Sequence, residues 1–133
     1  MNLKYLLREP IAPPDLHRLL RESWDHAPAG YPLVLSHSLT WVTARDGERL
    51  VGFVNLAWDG GSHAFLLDPT VHPSLRRRGI GTELVRHAVE AARASGVAWI
   101  HVDYEPQLEP FYARCGFGPT RAGLIRLRVE PEP

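Results

Sequence analysis

The sequence contains one cysteine, Cys115, and one lysine, Lys4, in 133 residues. A single cysteine excludes an internal disulfide and a cysteine-rich metal site, and it is typical of proteins in a reducing compartment. The 15 basic and 15 acidic side chains balance to a formal net charge of zero. A molecule without net charge lacks the long-range field that draws proteins to nucleic acids or anionic lipids. Any anion must therefore be bound by a local arrangement of groups.

The sequence also lacks a long hydrophobic run. No apolar stretch is long enough to cross a bilayer, and the N-terminus Met1–Pro10 lacks the apolar core of a secretory signal. Hydrophobic residues make up 44% and charged residues 23% of the chain, a composition typical of globular proteins. We therefore expect a cytoplasmic protein of one domain, residues 1–133, without a membrane partner.

The first half of the chain predicts a strand, a helix and a hairpin. Apolar residues at helical spacing follow Pro13, and the pair Asp46-Gly47 between two apolar runs is a hairpin signal. Proline and glycine residues interrupt the helical pattern between the predicted helix and the predicted hairpin. The predicted elements are a strand at Leu3–Arg8, a helix at Pro13–Trp24, an irregular surface segment at Asp25–Ser38, and strands at Leu39–Arg45 and Arg49–Trp58.

The second half predicts a strand, a helix and a strand that form one crossover. Pro69 cannot donate a ladder hydrogen bond, so the first of these strands should be bulged or released from its neighbour there. A helix between two strands makes those strands parallel. The predicted elements are a strand at His63–Val71, a helix from Gly79 to Gly96, a strand at Val97–Val102, a short helix at Leu108–Cys115, and strands at Phe117–Arg121 and Leu124–Val129. Together they predict a mixed, mainly antiparallel sheet with helices on it.

Three arginines, Arg76–Arg78, precede Gly79-Ile80-Gly81 at the start of the long helix. Backbone N–H groups at a helix start have no intrahelical acceptor and lie at the positive end of the helix dipole, so they bind pyrophosphate if no β-carbon blocks the approach. Thr82 adds a hydroxyl donor. A glycine turn with a solvated arginine rim explains the same pattern equally well. The loop is neither a P-loop, because no lysine and Ser/Thr follow, nor a complete dinucleotide fingerprint.

A second motif lies further along the chain. The run Phe111-Tyr112-Ala-Arg-Cys-Gly116-Phe117 follows the strand after the glycine loop. The two motifs in this order and at this distance resemble the GNAT superfamily of acyl-CoA-dependent N-acyltransferases. The resemblance spans about residues 39–129.

The resemblance implies a fold and a donor site. It implies the GNAT fold, in which a mixed twisted sheet is flanked by helices and contains two splayed parallel strands. It also implies transfer of an acetyl group from acetyl-CoA to a primary amine of a small molecule or peptide, by direct attack through a tetrahedral intermediate and without a metal. Val71 matches the strand residue whose backbone pairs with the pantetheine arm. The residues that match the loop around the CoA pyrophosphate are Arg76, Arg77, Arg78, Gly79, Ile80, Gly81 and Thr82.

The resemblance also implies the catalytic groups. Tyr112 matches the frequent general acid, which protonates the leaving CoA thiolate; a core aromatic on an amphipathic helix is the alternative. Asp68 lies on the strand that leads to the loop and matches a commonly acidic position, which makes it the candidate base. Other groups remain rivals for that role, or are surface groups: His63, His101, Asp103 and Glu105.

The sequence leaves the amine acceptor and the choice between an enzyme and a binding module open. The family builds its acceptor site from the segment that here is Trp24–Ser38 and from strand residues that here include Trp41, Asn55, Trp58 and His63. Glu105 stands where many members have asparagine, and this departure puts one usual contact to the pantetheine in doubt. A non-catalytic module that senses acyl-CoA is the alternative function, whereas zero net charge argues against a nucleic-acid binder. A homodimer is common in such folds.

Overall fold

The computed structural model describes residues 1–24 and 31–128. The chain divides into two compact units, Met1–Val102 and Asp103–Pro133. The first unit contains a five-stranded sheet whose strands lie in chain order. Its strands are β1 (Leu3–Leu7), β2 (Ser38–Asp46), β3 (Arg49–Trp58), β4 (His63–Val71) and β5 (Trp99–His101). All neighbours are antiparallel except β4 and β5, which are parallel. The predicted mixed sheet and its crossover are confirmed.

The helices of the first unit are α1 (Pro13–Trp24), α2 (Tyr31–Leu35) and α3 (Ile80–Ala94), with a 3-10 turn at Pro73–Leu75. The prediction of an irregular segment at Asp25–Ser38 is wrong for its second part, because α2 forms there and Ser38 already begins β2. Tyr31 and Leu35, one turn apart, are buried against the sheet, and this burial stabilises a helix that its local sequence does not favour. The part at residues 25–30 lies outside the described residues.

The two faces of the sheet are covered by different helices. Neighbouring residues of a strand point to opposite faces. Gly52 of β3 lies under Ile80 and Leu84 of α3, whereas the next residue, Phe53, belongs to the core cluster formed with α1 and α2. That cluster consists of Leu16, Leu19, Leu20, Tyr31, Leu35, Leu50 and Phe53.

The predicted irregularity near Pro69 is present as a bulge in β4. Phe53 pairs with Thr70 and Asn55 pairs with Leu67, so three steps along β4 match two steps along β3. Asp68, inside the bulge, has a φ of 56°. A non-glycine residue rarely adopts this conformation, which costs of order 1–3 kcal/mol. Pro69 suits the site because the ladder is already interrupted there.

The second unit contains a 3-10 turn at Pro106–Leu108 and helix α4 (Glu109–Arg114). The short helix is therefore confirmed. The predicted strands Phe117–Arg121 and Leu124–Val129 are not: residues 117–128 contain no strand, and Val129 lies outside the described residues. A strand needs a neighbour to accept its ladder hydrogen bonds, and no strand among the described residues pairs with this part of the chain.

Candidate functional site

The parallel strands β4 and β5 separate soon after they pair. The last paired residues are Phe65 and His101, and β4 continues for six residues beyond that point. His72 N–H donates to the Val51 carbonyl at 2.8 Å, and Val71 stands opposite Gly52. Because antiparallel pairs alternate between bonded and non-bonded, the N–H and C=O of Val71 point away from β3. They face the side that β5 has left, where an extended ligand can pair with them.

The loop before α3 turns sharply at two residues. Arg77 has a φ of 64° and Gly79, the N-cap residue, a φ of 82°. No side chain caps the helix, and the first amide with a helical acceptor is that of Glu83, which donates to the Gly79 carbonyl at 3.1 Å. The N–H groups of Ile80, Gly81 and Thr82 have no acceptor in the described chain. A β-carbon on Gly79 would meet no protein atom within 4 Å, so the space above the turn is open. These features fit a bound phosphate group.

The three arginines of the loop are exposed. Arg76 Nε donates a long hydrogen bond of 3.4 Å to the Val71 carbonyl. Within residues 1–24 and 31–128, neither Arg77 nor Arg78 forms an ion pair. Both guanidinium groups are therefore available to an anion, but the fixed donors in this region are the backbone amides.

Asp68 has a partner that sequence reasoning missed. Tyr31 Oη donates a hydrogen bond of 2.6 Å to Asp68 Oδ2. Burial, assisted by this hydrogen bond and by the Asp68 charge, raises the pKa of Tyr31 well above its ordinary value, so the phenol remains a donor at neutral pH. The bond fixes one carboxylate oxygen and leaves Oδ1 for another group. The two residues are 37 positions apart, and no local pattern relates them.

Asn55 of β3 pairs with Leu67 of β4, next to Asp68, and is fully buried. Its Oδ1 accepts a hydrogen bond of 2.5 Å from Ser38 Oγ. Its amide also lies near the Tyr31 hydroxyl, where it offsets a small part of the rise in the pKa of Tyr31, although Nδ2 makes no hydrogen bond of good geometry among the described residues. A buried donor without a well-formed hydrogen bond costs about 1–3 kcal/mol.

An apolar cavity of about 250 Å³ lies beside Tyr31. Trp41 lines it and is fixed there, because its Nε1 donates to the Glu9 carbonyl at 2.8 Å and Arg8 lies 5.2 Å above its ring. Trp41 is thus partly a structural residue. The cavity is lined by Pro10, Ile11, Pro13, Leu16, His17, Leu20, Tyr31, Leu35 and Trp41.

The other candidates for the general base have different surroundings from those of Asp68. His63 Nδ1 and His101 Nε2 lie 2.8 Å apart, so one imidazole donates a hydrogen bond to the other. Phe65 stacks on His101 with 4.9 Å between ring centroids. Asp103 and Glu105 belong to the second unit and are exposed. Of the candidates in the first unit, Asp68 is the carboxylate held by a buried donor.

Tyr112 is buried in an aromatic cluster of the second unit. Tyr104 stacks on it at 4.8 Å, and Phe111 and Phe117 meet it edge-on at 4.9 Å and 5.8 Å. Burial raises the pKa of Tyr112 to about 12, with smaller contributions from Cys115 and Asp103. The hydroxyl is therefore protonated at neutral pH, as a proton donor must be. Gly116, with a φ of 101°, ends α4 in a conformation that favours glycine.

Comparison with known proteins identifies the family. The family model for the Acetyltransferase (GNAT) family matches residues 5–117, which is most of the chain. The chain therefore belongs to the GNAT acetyltransferase family, and the sequence-based assignment is confirmed. The solved structure of a GNAT family acetyltransferase from Streptococcus pneumoniae has a TM-score of 0.83 and 26% identity, covering 97% of this chain and 100% of that chain.

Two curated relatives match parts of the chain. Mycothiol acetyltransferase of Nocardia farcinica is 41% identical over 76 residues, which cover 57% of this chain and 24% of that protein. A probable glucosamine 6-phosphate N-acetyltransferase 2 of Oryza sativa subsp. japonica is 38% identical over 58 residues, covering 44% of this chain and 35% of that protein. The matched region thus spans between 24% and 35% of the length of these relatives.

Neither a membrane-spanning helix nor a metal cluster is present in the described residues, 1–24 and 31–128. No helix there is long and apolar enough to cross a membrane. The same residues contain no group of three or more His, Cys, Asp or Glu side chains that could hold a metal ion.

Proposed function

We propose that this protein is an N-acetyltransferase that moves an acetyl group from acetyl-CoA to a primary amine of a small molecule or peptide. The observation that carries the proposal is the set of backbone groups in the first unit that have no backbone partner among the described residues. Val71 presents its N–H and C=O beyond the end of β5, and Ile80, Gly81 and Thr82 present free N–H groups behind Gly79. An extended pantetheine arm pairs with the first set, and a pyrophosphate binds to the second.

The arginines assist the donor site. Arg76, Arg77 and Arg78 surround a phosphate group with positive charge, and any of them can form charge-assisted hydrogen bonds to its oxygens. Because the side chains are exposed, each contributes less than a fixed amide does.

Asp68 and Tyr112 carry the proton transfers in this proposal. The neutral amine attacks the thioester carbonyl carbon, a C–N bond forms, and the nitrogen loses its proton to the Asp68 carboxylate. The tetrahedral intermediate then collapses as the C–S bond breaks. The departing sulfur takes the proton of the Tyr112 hydroxyl, and both side chains return to their starting states by exchange with solvent.

Support for the acceptor site comes from Asp68 and its neighbours. Tyr31 orients the carboxylate, and the apolar cavity beside Tyr31 accommodates a hydrocarbon part of the amine. The names of the two curated relatives mention mycothiol and glucosamine 6-phosphate. The amine acceptor of this protein is identified by the experiment that follows.

The test measures free thiol released from acetyl-CoA in the presence of polyamines, amino acids, aminoglycosides, arylamines or peptides. We expect at least one amine to be acetylated. Tyr112→Phe should then lower turnover about a hundredfold, a typical value for loss of a general acid, with little change in acetyl-CoA affinity. Tyr104→Phe is the matched control, because it removes a hydroxyl from the ring stacked on Tyr112.

Two outcomes contradict the proposal. Equal thiol release by the wild type and Tyr112→Phe would remove Tyr112 from the mechanism. Stabilisation by acetyl-CoA without acetylation of any amine would favour a non-catalytic acyl-CoA sensor.

A further inference from the structure

The imidazole of His72 lies between the two parts of the donor site, and the proposed reaction does not use it. His72 follows Val71, the last residue of β4, and precedes the 3-10 turn Pro73–Leu75, which leads into the loop at residues 76–82. The His72 N–H donates to the Val51 carbonyl, so the backbone of His72 is still fixed to the sheet. The chain leaves the sheet immediately after this residue.

His72 supplies the acceptors for both amides of the 3-10 turn. Pro73 has no N–H, so the turn has only the amides of Ser74 and Leu75. The Ser74 N–H donates to His72 Nδ1 at 3.1 Å, and the Leu75 N–H donates to the His72 carbonyl at 2.9 Å. His72 is therefore the N-cap of the turn, the position at which a side-chain acceptor satisfies a free amide.

This cap fixes the tautomer of the ring. Ser74 Oγ also lies 2.8 Å from Nδ1, but a hydroxyl can donate or accept, whereas the Ser74 N–H can only donate. Nδ1 is therefore unprotonated, and the proton of the neutral ring lies on Nε2. Nε2 lies 3.4 Å from Glu22 Oε1 on α1 and 3.3 Å from Arg49 Nη2 on β3, and the side chain of His72 is only 14% exposed. One ring nitrogen thus holds the turn while the other contacts α1 and β3.

The loop beyond the turn contains backbone that its surroundings must hold. Arg77 has a φ of 64°, which a non-glycine residue rarely adopts. Gly79 turns the chain again before the free N–H groups of α3, which must lie together if one phosphate group is to meet them at once. A site that is held in place before its ligand arrives binds that ligand more tightly, because less ordering is needed on binding. His72 lies at the front end of this segment.

We propose that His72 is a positioning residue for acetyl-CoA: its Nδ1 holds the 3-10 turn and thereby places the loop whose amides meet the pyrophosphate. The proposal rests on the proposed function, because it assumes that this loop binds acetyl-CoA. The ring of His72 does not contact the reacting atoms. It therefore changes the affinity for acetyl-CoA, and not the rate of acetyl transfer when acetyl-CoA is saturating.

Three substitutions separate the roles of the two ring nitrogens. The side-chain oxygen of asparagine lies near the position of Nδ1 and accepts the N–H two residues along the chain, whereas the glutamine amide lies near the position of Nε2. We expect His72→Ala and His72→Gln to bind acetyl-CoA about tenfold more weakly, within the range for loss of a helix cap, and to raise its KM equally with unchanged kcat. His72→Asn should bind acetyl-CoA within about twofold of the wild type.

Calorimetric titration with acetyl-CoA measures the affinity without an amine acceptor, and urea unfolding measures the stability of each variant. If His72→Ala and His72→Gln lose stability but keep their affinity, His72 is a structural cap alone and the proposal is wrong. Equal affinities of His72→Asn and His72→Gln would also overturn it, and this comparison decides the matter if His72→Ala does not fold. Absence of acetyl-CoA binding by the wild type would overturn the proposed function as well.

The tautomer of His72 gives a test that does not depend on a destabilised variant. The NMR shifts of the ring nitrogens in the wild type at neutral pH distinguish a proton on Nε2 from one on Nδ1, and the His72 signals are assigned by their loss in His72→Asn. We expect the proton on Nε2. A proton on Nδ1 would contradict the proposal, because that nitrogen could not then accept from the Ser74 N–H.

Discussion

Asp68 sits in a strained turn of β4, and its carboxylate accepts a hydrogen bond from the buried Tyr31 hydroxyl. A strained backbone persists only where its surroundings hold it, and such residues cluster at functional sites. The hydrogen bond limits the carboxylate to one orientation. At the residue scale, the orientation of the proposed base therefore depends on Tyr31, a side chain on a different element, as much as on Asp68 itself.

Replacing Tyr31 with Phe should weaken this orientation. We expect kcat to fall about tenfold, the equivalent of one hydrogen bond to a charged group, with unchanged acetyl-CoA affinity. Thiol release at saturating acetyl-CoA and a separate binding measurement provide the two values. Tyr5→Phe, on the far edge of the sheet, is the control. A fall in acetyl-CoA affinity with normal kcat would show that Tyr31 does not act through Asp68.

The raised pKa of Tyr112 makes stability sensitive to alkaline pH. Burial lifts this pKa from 10.0 to about 12, so the folded state holds the proton more tightly than the unfolded state. The contribution is complete below pH 10 and is lost as the pH rises from 10 to about 12. Its upper limit is roughly 2–3 kcal/mol.

Urea unfolding below pH 10 and near pH 12 measures this loss. We expect the wild type to lose more stability over that interval than Tyr112→Phe does, because Tyr31 and the other tyrosines titrate in both proteins. Identical losses would mean that the Tyr112 hydroxyl is not held in its protonated form by the fold.

At the element scale, the glycine loop and α3 follow closely from local sequence. A glycine before an amphipathic stretch predicted both the helix start and its free amides, because helix caps depend on the few residues at the end of the helix. The C-terminal strands were predicted from equally clear alternation, but strand formation depends on a distant neighbour. Helix α2 was missed for the same reason: its five residues are stabilised by burial of Tyr31 and Leu35.

Gly79→Ala tests the loop. Gly79 and Gly60 share a φ of 82°, and in both cases an added β-carbon meets no protein atom within 4 Å. Each alanine variant should therefore lose about 1–2 kcal/mol of stability through backbone strain. Only Gly79→Ala should reduce the thermal stabilisation produced by acetyl-CoA, because its β-carbon occupies the approach to the amides. Equal stabilisation of the two variants by acetyl-CoA would contradict the phosphate site.

At the scale of the whole molecule, the first unit depends on α3 packed against the sheet. Leu84 is fully buried there, at 0% exposure, whereas Leu33 on α2 is 69% exposed. Leu84→Ala should lower the free energy of unfolding by about 2–5 kcal/mol, because it leaves a cavity in the core. Leu33→Ala should change it by no more than about 0.5 kcal/mol. Chemical denaturation gives both values, and similar losses would mean that this core does not govern unfolding.

The sequence by itself determined the elements whose signals are local. These are the hairpin at Asp46-Gly47, the bulge at Pro69, helix α3 with its glycine start and the pair of motifs that identifies the family. The tertiary structure alone decided that Tyr31 bonds to Asp68, that Val71 faces the gap beside β5, and that residues 117–128 have no strand partner within the described chain. The physical reason is distance along the chain: turns and caps involve neighbouring residues, whereas hydrogen bonds between elements depend on how the whole chain packs.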